Sequence, residues 1–88
     1  MIIYTKCFLS DRKSKEVLKR MEEGKKAGKD VKIQTFKRRF IDRFSCVDTP
    51  EKPYIIKNFW IAGEIIYIKS GFNYKTIAFN DLLQVEII

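Results

Sequence analysis

Val31-Lys32-Ile33-Gln34-Thr35-Phe36-Lys37-Arg38-Arg39-Phe40-Ile41-Asp42-Arg43-Phe44-Ser45-Cys46-Val47 can be read with two periods, and the architecture follows from the choice between them. In an extended chain successive side chains alternate, so Phe36, Arg38, Phe40, Asp42 and Phe44 share one face and Lys37, Arg39, Ile41 and Arg43 the other. In a helix, Ile33, Phe36, Phe40, Phe44 and Val47 form a stripe, with Arg38, Arg39 and Asp42 opposite. Val31, Ile33, Thr35 and the three phenylalanines are β-branched or aromatic types that favour extension. The stretch is therefore read as one long strand, with a helix as the alternative. On that reading the phenylalanines are expected to fill the core. Arg38 and Asp42, on the same face, then need partners or positions beyond the edge of the core.

Upstream, residues 2–9 are rich in β-branched and aromatic types and predict a first strand, ending at Ser10-Asp11. Ser10 or Asp11 can cap a helix running from Asp11 to about Ala27. Its i,i+4 pairs Glu16/Arg20, Lys19/Glu23 and Glu22/Lys26 support a surface helix. The apolar stripe of Val17, Leu18 and Met21 is narrow, so the helix is expected to lie on a sheet by one face. Gly24 and Gly28 are candidate stops. The run Gly24-Lys25-Lys26-Ala27-Gly28-Lys29 has a superficial likeness to a phosphate-binding loop. It has one residue too few between its glycines, however, and Asp30 stands where Ser or Thr would hold magnesium, so it is assigned to a helix C-cap.

Downstream, Asp48-Thr49-Pro50-Glu51-Lys52-Pro53 predicts a turn. Residues 54–61 read as a strand, Ala62-Gly63-Glu64 as a tight turn or bulge, and residues 65–68 as a further strand. Ser70-Gly71-Phe72-Asn73 marks the next turn and residues 74–79 alternate in strand fashion. Asn80-Asp81 leads into a last strand over residues 82–88, entered through one helical turn capped by Asp81. The fold class is α+β: one N-terminal helix packed on a curved, mainly antiparallel sheet or partly open small barrel, in the order β-α-β-β-β-β-β. No repeat or linker divides it, so residues 1–88 are read as one small domain.

Composition narrows the chemistry. Apolar residues make up 45% and charged residues 33% of the 88, a balance that supports one packed core and argues against disorder. Histidine is missing, which removes the commonest general base, His-activated nucleophiles and His-containing zinc sites. Cys7 and Cys46 stand far apart without metal-ligand spacing, so no metal and no cofactor is expected. They read as structural thiols, although a bridge between them is open. The first ten residues lack the apolar run of a signal peptide, and no run is long enough to span a bilayer. The expectation is a cytoplasmic protein without membrane partners.

The net charge of +7 is uneven, with 14 Lys/Arg against 6 Asp/Glu in residues 1–44 and 4 against 5 in residues 45–88. Such asymmetry fits contact with nucleic acid or an acidic protein, while a basic surface also serves solubility. The 13 lysines and 13 isoleucines of the chain are also what AT-rich coding alone would give. Lys37, Arg38, Arg39 and Arg43, interleaved with phenylalanines, are the strongest candidate nucleic-acid contacts, because cations repeated along a strand can follow successive phosphates. Lys25, Lys26 and Lys29 form a second group, with a competing role as partners of the helix C-terminal dipole. Phe36 and Phe72 are the candidate contact aromatics, the latter because a large apolar ring is unusual in a hairpin loop. Most aromatics of the C-terminal half are expected in the core. If residues 54–61 are a strand, Phe59 and Trp60 point oppositely and one of them is partly exposed.

Three functions are compatible with these residues. The first is a non-enzymatic nucleic-acid-binding module, for DNA or RNA, using mainly phosphate contacts. The alternative is a small accessory or inhibitory protein, of the kind phages and mobile elements encode, docking its basic face on an acidic or nucleic-acid-binding protein. Open strand edges would also allow a homodimer. The third arises because length, basicity and a single helix before a sheet loosely resemble small bacterial ribonuclease toxins that use Lys, Arg and Tyr in place of histidine, a likeness too thin to assign membership. It would require Tyr67 or Tyr74 near Arg39.

Overall fold

The computed structural model describes residues 1–6 and 13–88. Its elements are β1 (Ile2–Thr5), α1 (Ser14–Lys26), β2 (Val31–Phe40), β3 (Cys46–Pro50), β4 (Tyr54–Ile56), β5 (Phe59–Ala62), β6 (Ile65–Ser70), β7 (Asn73–Ala78), a 3-10 turn (Phe79–Asp81) and β8 (Leu82–Ile87). One sheet has the order β1-β8-β2-β3, with β4 also paired to β2, and a second has the order β5-β6-β7. Every pairing among them is antiparallel. The sheets curl with α1 into a half-barrel, the α+β architecture expected from the sequence.

The alternation of Val31, Ile33 and Thr35 sets this arrangement. These three are buried while Lys32 and Gln34 between them are half-buried. Along residues 31–33, β2 lies between β8 on one side and β4 on the other. Its inward side chains join Val17, Leu18 and Met21 of α1, Val85 of β8, and Phe59, Ile66, Ile68 and Ile77 of the second sheet in one cluster. The helix thus buries the narrow stripe that its sequence predicts. Gly24, expected as a stop, lies inside α1. A Cβ there would stand 3.1 Å from Ile87 Cδ1 and 3.7 Å from Val31 Cγ2, so glycine lets the helix approach β8 and β2 closely. The helix ends at Gly28 instead, whose φ of 75° is the left-handed cap. There Lys29 N–H donates to Gly24 O and Gly28 N–H to Lys25 O, satisfying two terminal carbonyls.

At its start, α1 has Lys13 in the capping position with no side-chain cap, and the expected caps Ser10 and Asp11 lie outside the described residues. So do Cys7 and Arg12, and with Cys7 the question of a bridge. Ser14 Oγ, buried, donates to Glu64 Oε1 at 2.7 Å and ties the helix to the β5–β6 turn. That turn and the β6–β7 turn each place a glycine with positive φ, Gly63 and Gly71, first of two central residues, as the sequence suggests.

Three boundaries differ from the sequence reading and bring the strands to eight. The strand expected over residues 31–47 stops at Phe40, and β3 returns beside it. Asp42 causes the reversal: its Oδ1 accepts the N–H of Phe44 at 2.7 Å and of Ser45 at 2.8 Å, closing a turn without glycine or proline. Residues 48–50, expected in a turn, are strand, and Pro50 is tolerated because β3 is an edge. The strand expected over residues 54–61 breaks at Lys57-Asn58, where the chain leaves β2 for the second sheet and Asn58 O accepts Lys69 N–H.

Met21, fully buried, and Phe44, 96% exposed, should separate cleanly on truncation. Met21→Ala is expected to cost about 2–5 kcal/mol in denaturant unfolding. Phe44→Ala should stay within about 0.5 kcal/mol of the parent.

Candidate functional site

Past Thr35, β2 has neither β8 nor β4 beside it and pairs with β3 alone. The five paired residues on each strand, at about 3.4 Å per residue, make a two-stranded arm about 17 Å long. Residues 37–50 are exposed throughout. The radius of gyration, 13.7 Å, exceeds the about 12 Å of a compact chain of this length, as a projecting arm requires.

The arm is fixed where it leaves the body. Glu51 N–H donates to Thr35 O at 2.8 Å, Gln34 Nε2 to Glu51 O at 2.9 Å and Thr35 Oγ1 to Glu51 Oε1 at 3.2 Å. Above this clasp Lys6 Nζ sits 4.4 Å from the centre of the Phe36 ring and also donates to Asn80 O at 2.6 Å, joining arm, β1 and the 3-10 turn. Phe36 is thus a half-buried foot of the arm rather than a free ring.

Register then sorts the side chains. Arg38 faces Asp48 across the strands, and Nε–Oδ1 at 2.8 Å with Nη2–Oδ2 at 3.3 Å forms a two-pronged ion pair. This supplies the partner that Arg38 was expected to need. Asp42, also expected to need one, accepts the turn amides. Both acidic side chains of the arm are therefore engaged. Lys37, Arg39 and Arg43 have no carboxylate partner among the described residues. Lys37 and Arg39 lie on the opposite face from Arg38, beside Thr49 and Val47. Arg43 stands in the turn with Ile41 and Phe44. Phe40 is 78% and Ile41 68% exposed, with Phe44 almost wholly so. The expectation that Phe40 and Phe44 fill the core is thus corrected: the hairpin carries them away from α1 to a tip that is both apolar and cationic.

The Arg38 hydrogen bond, with its charge, holds the Asp48 carboxyl below the ordinary aspartate range against a smaller opposing effect of desolvation. The same hydrogen bond, foremost, keeps the guanidinium of Arg38 more firmly protonated than usual.

The other sequence candidates stand elsewhere. Lys25 Nζ donates to Phe59 O and lies 5.1 Å from that ring's centre, binding α1 to β5. Lys26 and Lys29 are exposed at the helix C-terminus. Phe72 is fully exposed at the β6–β7 turn, as its loop position suggested. Tyr67 and Tyr74 lie on the second sheet and Arg39 on the arm, with no hydrogen bond joining them. One group was half anticipated, since the exposure of Phe59 or Trp60 was expected but not that of Tyr74 beside it. Trp60 and Tyr74, on the outer face of the second sheet, are 44% and 62% exposed, although most aromatics here were expected in the core. Strand parity at Phe59 and Trp60 was the available signal, and it does bury Phe59 and expose Trp60.

No family model, curated protein or solved structure matches the chain.

Because the Asp48 carboxyl is depressed when folded, the ion pair contributes fully above the ordinary aspartate value of about 3.9 and is lost as pH falls through the lower folded value. An NMR titration should find the Asp48 midpoint below that ordinary value and see it return upward in Arg38→Ala. A midpoint already at the ordinary value in the parent would mean that the pair does not persist in solution.

Proposed function

We propose that the chain is a nucleic-acid-binding module and that the β2–β3 arm is its principal contact. The supporting observation is a fully exposed ribbon whose acidic side chains are both engaged, leaving Lys37, Arg39 and Arg43 free beside exposed rings. A polyanion gains most from cations that need break no internal pair, and releases counterions on meeting them. A two-stranded ribbon is narrow enough for the DNA major groove, and apolar tips flanked by arginine are suited to wedging between base steps from the minor groove. The contacts act mainly on phosphates, and the role is binding without catalysis.

A second reading has its own observation. Among the described residues no strand pairs the outer edge of β3, and Phe40, Ile41 and Phe44 form an apolar tip, features that also suit docking on a protein or pairing with a second copy. Salt dependence separates the two, since phosphate neutralisation is far more salt-sensitive than apolar docking.

Replacing Lys37, Arg39 and Arg43 together by alanine should weaken binding to labelled nucleic acid in fluorescence anisotropy. The slope of log affinity against log salt should become shallower by about 2 to 3, one increment of 0.7–0.9 per lost phosphate contact. Their replacement by glutamate should abolish binding. Unchanged affinity and slope in both variants would remove the arm from the interface. A stoichiometric protein complex with no nucleic-acid binding at moderate salt would favour the second reading.

A further inference from the structure

The outer face of the β5-β6-β7 sheet is built from cross-strand pairs. Trp60 stands opposite Tyr67, and Lys69 opposite Tyr74. The Trp60 and Tyr67 rings are stacked, 5.4 Å between centres and 6° between planes, and Tyr74 meets Trp60 edge-on at 5.9 Å. Lys69 Nζ lies 5.9 Å from the centre of the Tyr74 ring. Held by its neighbours, Trp60 is a fixed surface rather than a loose side chain, and no other strand or helix of the described chain covers it or Tyr74.

Two clefts open where the sheets part, the first at the edge of this face and the second on the inward side, where Lys75 stands opposite buried Ile68. One, of about 510 Å³, runs beside Trp60 and Lys25, and the other, of about 490 Å³, beside Tyr54, Lys57 and Lys75. They share Asn58, Lys69 and Gly71 as walls. Four lysines therefore line the pair, and no carboxylate lines either. Tyr54, whose buried hydroxyl has no hydrogen-bond partner among the described residues, stands in the second. Next to the shared wall, Phe72 projects fully into solvent.

We infer that this face takes unpaired nucleotides, bases lying on Trp60 and Tyr74 and phosphates passing beside Lys69, which faces Tyr74, into the cleft that Lys69 and Lys25 line next to Trp60. Exposed rings on a sheet accept any base by stacking, whereas paired bases keep their faces inside the duplex. A cleft lined by Lys25 and Lys69 without a carboxylate suits a phosphate, and the exposed ring of Trp60 beside it suits a base, so the occupant is anionic and flat-ringed at once: a single strand. The inference rests on the nucleic-acid reading, but not on the arm. The ligand class it names is single-stranded DNA or RNA.

Trp60 is the sole tryptophan, so its emission reports this face alone. Oligo-dT and a duplex of equal length would be titrated against the parent, the Lys37/Arg39/Arg43 alanine variant and Tyr74→Ala, following tryptophan emission together with anisotropy of the labelled strand. Oligo-dT is expected to quench Trp60 in the parent and, at saturation, in the arm variant, while the duplex binds without quenching. Tyr74→Ala should weaken oligo-dT binding by about 5- to 150-fold, the range of one base–ring contact, and leave duplex binding unchanged. An unaltered denaturation midpoint shows that this variant still folds. Binding of oligo-dT without quenching, equal quenching by duplex, or an unaffected Tyr74→Ala would each overturn the inference. Retained affinity of the arm variant for both ligands would instead overturn the arm's role, and no binding of either ligand by the parent would overturn both.

Discussion

The pairing of residues 31–35 of β2 with β8 on one side, and of residues 31–33 with β4 on the other, is the constraint from which both surfaces descend. One pleated stretch buries Val31 and Ile33 in the cluster that includes the helix's stripe, and buries Thr35 where it bonds Glu51. The strand continues without a break into the arm, so the arm's direction is inherited from the core. The clasp of Gln34 and Thr35 on Glu51 marks the transition. Below it, side chains are selected for fit; above it, residues 37–50 are exposed.

The charges divide in the same way. In the body, cations work locally: Lys25 bonds β5 through Phe59 O, and Lys6 spans Phe36 and Asn80. On the arm, Asp48 and Asp42 maintain geometry, the first across the strands and the second within the turn, and thereby leave three cations uncompensated. Screening limits a lone surface pair such as Arg38–Asp48 to a modest share of stability. Its larger consequence is the engagement of Asp48, since strand alternation already sets Lys37 and Arg39 on the other face of the ribbon.

Much of this was legible in the sequence where local chemistry and tertiary context agree. The Val17, Leu18 and Met21 stripe, the left-handed Gly28, the turns at Gly63 and Gly71 and the opposed Phe59 and Trp60 all follow from short-range rules. The hairpin at residues 41–45 did not, because its reversal depends on one aspartate side chain and carries no glycine or proline punctuation. Missing it put Phe40 and Phe44 in the core, since alternation alone does not say where the covering helix ends. Composition brought Lys37, Arg38, Arg39 and Arg43 together, and the structure divides them, with Arg38 ion-paired and Lys37 and Arg39 on the opposite face. Arg38's engagement with Asp48 depends on a register that only the return strand defines. The Trp60 face was hidden for a related reason: its rings meet across three strands, and no segment of sequence contains them together.

The clasp at Glu51 also separates two kinds of inheritance. Substitutions in residues 37–50 disturb no buried contact, so a lineage could rewrite the ribbon's length, charge or tip without re-solving the packing problem beneath it. The core strand, by contrast, tolerates little change at Val31 and Ile33. A scaffold divided in this way can diverge rapidly in what it grips while its interior stays nearly constant, and descendants would resemble one another least where they act.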